Sequence, residues 1–143
     1  MYLGLFDEIF NDDSMPCYAG PSGDLLHWAA VIEGPKGSVY EGGVFFLDIN
    51  FRLTNYPFGP PHVKFLTQIY HCNVDGDGLV NLEKFWPEWS PVISLKQILH
   101  LVCNLMKQCD LVNATNIRIA QHYLNNKESF EAKARKWTKI YAT

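Results

Sequence analysis

Ile69-Tyr70-His71-Cys72-Asn73-Val74-Asp75-Gly76-Asp77-Gly78-Leu79-Val80-Asn81-Leu82 is the stretch on which the reading of this chain turns. Its middle, Asp75-Gly76-Asp77-Gly78, has the carboxylates and glycines of a calcium loop. Such a loop wants a bidentate Glu at its twelfth position, and that position is Trp86, so the segment reads as a turn. Upstream stands Tyr56-Pro57-Phe58-Gly59-Pro60-Pro61, whose prolines carry no N–H for a strand ladder. Downstream comes Trp89-Ser90-Pro91.

Working outward, the segments before this stretch read as strands and those after it as helices. Leu25 to Ile32 and Val44 to Phe51 alternate or run apolar between Gly and Pro punctuation, and His62 to Leu66 places Val63 and Phe65 on one face. Asp12 to Pro21 is turn-rich. Met1 to Phe10 carries Leu3, Phe6 and Ile9 at helical spacing. Ser94 to Lys107 is the clearest helix: Ser94 with Gln97 makes a capping box, and Ile98, Leu101, Val102 and Leu105 make the apolar stripe. Ile117 to Leu124 and Lys127 to Tyr141 are two more, the last with Phe130, Ala134, Trp137 and Tyr141 on one face. There are no repeats, low-complexity tracts or linkers, so residues 1–143 read as a single domain.

Composition narrows the function classes. A hydrophobic content of 48% with 14% aromatic residues belongs to a packed globule. A net charge of −3 lacks the basic stripe of a nucleic-acid binder, and no apolar run approaches the roughly 20 residues that span a bilayer. Four cysteines without a signal peptide read as reduced thiols, mostly core filler, which sets the expected compartment as nucleus or cytoplasm. His100 and Cys103 fall on one helix face, half of a zinc site, but no second pair has suitable spacing. No metal and no cofactor is expected.

These residues carry a resemblance to the ubiquitin-conjugating enzyme family that covers nearly the whole chain. Ala19-Gly20-Pro21, Gly23-Asp24, His27-Trp28 and Glu33-Gly34-Pro35 resemble the family's opening strands and turns. Gly37-Ser38-Val39-Tyr40-Glu41-Gly42-Gly43-Val44-Phe45-Phe46-Leu47 and Lys136-Trp137-Thr138-Lys139-Ile140-Tyr141-Ala142 match its middle and last helix. With the strand-then-helix order, the resemblance implies an α+β fold. The expected architecture is a four-stranded antiparallel meander with an N-terminal helix, a central helix and two C-terminal helices.

In that family a His-Pro-Asn tripeptide precedes the catalytic cysteine, and the tenth position after His71 is Asn81. A thiolate attacks an activated ubiquitin carboxyl and holds it as a thioester; a carboxamide has no basic nitrogen lone pair and does neither. Asn81 reads as a loop asparagine beside a vestigial groove, or as a deliberate replacement of the nucleophile. Cys72 and Val80-Asn81-Leu82 together resemble a plant conjugating-enzyme variant that represses photomorphogenesis. That variant works beside a damaged-DNA-binding adaptor and a cullin ligase. Asn73 stands where the family's asparagine faces the developing oxyanion, but the expected role here is to hold the loop through backbone hydrogen bonds. His71 reads as a packed histidine rather than a base. Cys72 has no cationic neighbour between Lys64 and Lys84 to activate it. Asn113 aligns roughly with the gate-loop aspartate that helps deprotonate an acceptor lysine, and an amide is no general base.

What the resemblance implies is retained is a set of binding surfaces. Pro57, Phe58, Trp89, Ser90 and Pro91 lie where family members dock ligase RING domains. Leu3, Phe6 and Phe10 make the short first helix apolar, and its acidic neighbours oppose docking to the activating enzyme. Tyr18 stands where close relatives carry a small serine on the face that binds ubiquitin non-covalently. The expected function is therefore a non-catalytic variant that assists an active conjugating enzyme and a ubiquitin ligase or adaptor. The alternatives are an enzyme inactivated by replacement of its cysteine, a thioester carrier using another cysteine, and a decoy on a ligase surface.

Overall fold

Alternation sets the centre of the sheet. In Val44–Asn50 the odd positions Phe45, Leu47 and Ile49 are buried while Val44 and Phe46 face out, the period-two pattern of a strand covered on one side. The computed structural model describes residues 17–22, 24–51, 58–85 and 95–143. The expected first helix over Met1 to Phe10 (with Leu3, Phe6 and Phe10), Pro57, Trp89, Ser90, Pro91 and the Ser94 cap lie outside the described residues.

The strands are β1 (Cys17–Ser22), β2 (Asp24–Glu33), β3 (Val44–Asn50), β4 (His62–Phe65) and β5 (Leu79–Val80). They form one antiparallel sheet in sequence order, a meander. The helices among the described residues are α1 (Leu82–Phe85), α2 (Leu95–Lys107), α3 (Ile117–Asn125) and α4 (Lys127–Tyr141). One buried cluster joins Trp28, Ile32, Phe45, Leu47 and Ile49 of the sheet to Leu95, Ile98, Leu99 and Val102 of α2 and Phe130 and Ala134 of α4.

Three expectations need correction. The sheet has five strands rather than four, because Leu79 and Val80 pair with Lys64 and Val63 after the Asp75 to Gly78 turn. Residues Cys17 to Pro21 form an edge strand rather than a turn-rich stretch, and an edge tolerates Pro21 because its missing N–H leaves no central ladder broken. The buried face of α4 runs through Phe130, Ala134 and Thr138, leaving Tyr141 exposed.

The turn before β5 depends on Gly78. Its φ is +91°, and a Cβ built there would stand 2.3 Å from the carbonyl oxygen of Phe65. That close approach lets Phe65 N–H donate to Gly78 O at 2.7 Å, which opens the β4–β5 ladder. Among the described residues, no helix is long and apolar enough to cross a membrane.

Candidate functional site

The segment from His71 to Asn73 is buried, and each of its polar groups is answered by a different part of the chain. His71 is 1% exposed; its Nε2–H donates to Leu105 O in the last turn of α2 at 2.5 Å, and its Nδ1 accepts from Asn73 N–H at 3.0 Å. A carbonyl only accepts, so the proton sits on Nε2 and neither ring nitrogen keeps a free lone pair. His71 is thus a packed histidine that ties the loop to α2.

Asn73, fully buried, clasps one residue. Its Nδ2 donates to Asp110 O at 2.8 Å and its Oδ1 accepts from Asp110 N–H at 2.9 Å. The carboxamide replaces a strand partner for the segment that follows α2. The Cys72 carbonyl accepts from Thr115 N–H at 3.0 Å and Asn116 N–H at 2.9 Å, fixing the approach to α3. Asn116 then caps α3 through its own side chain, which accepts from Ile119 N–H at 3.2 Å. The loop is a hub where the chain after α2, the chain before α3 and the sheet meet.

Asn81 lies between β5 and α1, half-buried, and its carbonyl accepts from Lys84 N–H at 3.3 Å. Asn113 faces Asp110: its Nδ2 donates to Oδ2 at 2.9 Å and its backbone N–H to Oδ1 at 3.3 Å. The Asp75 carboxylate is spent within its own turn, one oxygen accepting from Asp77 N–H and Leu79 N–H at 2.9 Å each. Phe58 is 82% exposed, whereas Gly59, Pro60 and Pro61 beside it are buried. Tyr18 pairs in register with Val31, and Val31 with Phe46, whose ring is 52% exposed on the outer sheet face.

Sequence reading missed Cys109. The ligand atoms of His71, Cys72 and Cys109 all lie within 4.8 Å of one another. His71 offers no lone pair, so the group does not make a three-ligand metal site; what remains is a pair of neighbouring thiols beside the His71 ring. Cys72 is fully buried, its S–H donates to Asn73 Oδ1 at 3.4 Å, and the thiol is pushed far up by the neighbouring Cys109 and by desolvation. Cys109, only partly buried, is pushed down by the hydrogen bond from Cys72 and then by His71, whose Nε2 is 4.0 Å from its sulfur. Cys103, inside α2, is pushed up by burial. No spacing rule points to Cys109, because its partner thiol arrives through the fold.

A sequence model described as ubiquitin-conjugating enzyme matches residues 6–138. Among solved structures, the E2 domain of a Toxoplasma gondii ubiquitin-conjugating enzyme is 29% identical with a TM-score of 0.86, and the match covers 99% of this chain and 97% of that one. A Plasmodium yoelii chain described as a ubiquitin-conjugating enzyme is 30% identical with a TM-score of 0.88, covering 99% of this chain and 93% of that one.

Proposed function

The chain belongs to the ubiquitin-conjugating enzyme family, and from that premise we propose that it is a member without a catalytic thiol, serving as a binding module. The observation that carries this reading is Asn81, the tenth residue after His71, at the mouth of α1. Nothing in a carboxamide forms a thioester. The surrounding groups support the same reading, since the Asn73 amide is committed to the Asp110 backbone and Asn113 brings an amide where a base is needed.

A module of this kind binds what its family binds, ubiquitin ligases and ubiquitin, without passing a covalent intermediate. The exposed Phe58, followed by the buried Gly59, Pro60 and Pro61, has the form of an aromatic anchor for a ligase domain. The outer sheet face, with Phe46 and Leu66 exposed, offers a second apolar surface suited to non-covalent ubiquitin. The pairing of Cys72 with Asn81 favours a lineage like the plant photomorphogenesis repressor. Its partners would then be an active conjugating enzyme and a cullin ligase with a damaged-DNA-binding adaptor, in nucleus or cytoplasm.

Incubation with activating enzyme, ATP and ubiquitin, read on a non-reducing gel, tests the premise. No thiol-sensitive ubiquitin adduct is expected. An adduct that forms on the natural chain and disappears in Cys109→Ser or Cys72→Ser would place carrier chemistry on another sulfur and overturn the reading.

A further inference from the structure

Cys109 lies beyond the last residue of α2, on the wall of a cavity of about 170 Å³ that Gly37, Ser38, Lys107 and Lys127 also line. A water occupies about 30 Å³ of liquid, so this space admits a small polar oxidant together with solvent. Behind Cys109, away from solvent, stands the fully buried Cys72. Their chain neighbours are already joined, because Asn73 holds both backbone groups of Asp110. The two thiols are therefore kept close together by a clasp one residue along each segment.

We propose that Cys109 and Cys72 are an oxidation site: a peroxide entering the cavity oxidises the Cys109 sulfur, and Cys72 resolves the product as an intramolecular disulfide. In the first step the Cys109 sulfur attacks one peroxide oxygen, the O–O bond breaks, and hydroxide leaves, giving a sulfenic acid. Lys107 and Lys127 border the space into which that hydroxide departs. In the second step the Cys72 sulfur attacks the Cys109 sulfur and its S–H proton goes to the departing hydroxyl, releasing water. Two thiols are oxidised by two electrons and one peroxide becomes two waters.

The geometry favours this division of roles. Cys109 is the sulfur with access, the His71 ring beside it and a lowered thiol; Cys72 has no such access and lies no more than 4.8 Å away. An S–S bond of about 2.05 Å requires the sulfurs to close from a separation of at most 4.8 Å. Cys109 lies two residues beyond the end of α2, so the closing movement breaks no helical hydrogen bond of its own. The product would tie the His71 to Asn73 loop covalently to the segment after α2.

The test treats the full reduced chain with a small excess of hydrogen peroxide at neutral pH, alkylates it, and maps its peptides without reduction. A Cys72–Cys109 cross-link reversed by dithiothreitol is expected. Before oxidation, iodoacetamide should label Cys109 about tenfold or more faster than Cys103, with the advantage widening as the pH falls. In Cys72→Ser, dimedone should trap a sulfenic acid at Cys109. If that variant fails to fold, the map of the natural chain decides alone. Oxidation at other cysteines without this cross-link, or labelling of Cys109 no faster than Cys103, would overturn the proposal.

Discussion

Asn73 shows how one side chain is bound to structure where family resemblance points to chemistry. A buried carboxamide that both accepts from and donates to the same backbone residue does the work of a strand neighbour. Removing it leaves Asp110 N–H and C=O without their side-chain partners in a part-buried place. Unmade hydrogen bonds of buried groups cost about 1–3 kcal/mol, so Asn73→Ala is expected to lower the unfolding free energy by that amount, read as a lower urea midpoint with an unchanged m-value. An Asn73→Ala chain as stable as the natural one would mean that the clasp is not maintained in solution. The residue's identity was legible in the sequence from its place after His71, and so was its expected role. Its partner was not, because Asp110 lies 37 positions away and only folding brings the two together.

At the scale of elements, what was legible depended on length and period. Helix α2 announced itself through a 3.6-residue stripe, and β3 through strict alternation, so both were read within a residue or two of their bounds. β5 has two residues and α1 four, too few for any period to register. β1 was obscured by Pro21, which reads as a breaker until its edge position is known. Cys109 belongs to the same class of omission, since it lies 38 residues from His71 and its chemistry is a property of proximity. The loop at Phe58 yields a prediction of its own. Its ring is 82% exposed and contributes little burial, whereas an aromatic anchor commonly carries about 2 kcal/mol or more of binding. Phe58→Ala should therefore weaken binding to a cognate ligase domain roughly thirtyfold while the melting temperature stays nearly constant. Calorimetry on both variants separates the outcomes: equal affinity removes Phe58 from the interface, and a large thermal shift makes it a packing residue instead.

Over the whole molecule, charge is unevenly distributed along the chain. No Lys or Arg precedes Lys36, four acidic residues fall between Asp7 and Asp13, and the last helix holds Lys127, Lys133, Arg135, Lys136 and Lys139. The family resemblance implies basic residues on the first helix of active members, meeting an acidic groove of the activating enzyme, and on the proposed reading an acidic start would oppose charging before any chemistry begins. The second obstacle on the proposed reading is at the other end of transfer, where Asn113, bonded to Asp110, would supply an amide in place of a base. Restoring the nucleophile alone addresses neither. Asn81→Cys is therefore expected to charge poorly and, once charged, to discharge to free lysine about 10²–10⁴-fold more slowly than an active relative, the usual effect of losing a general base. Single-turnover discharge of the charged variant isolates the second effect from the first. A discharge rate within several-fold of the active relative would show that the rest of the site still supports catalysis and that Asn81 alone silences the chain.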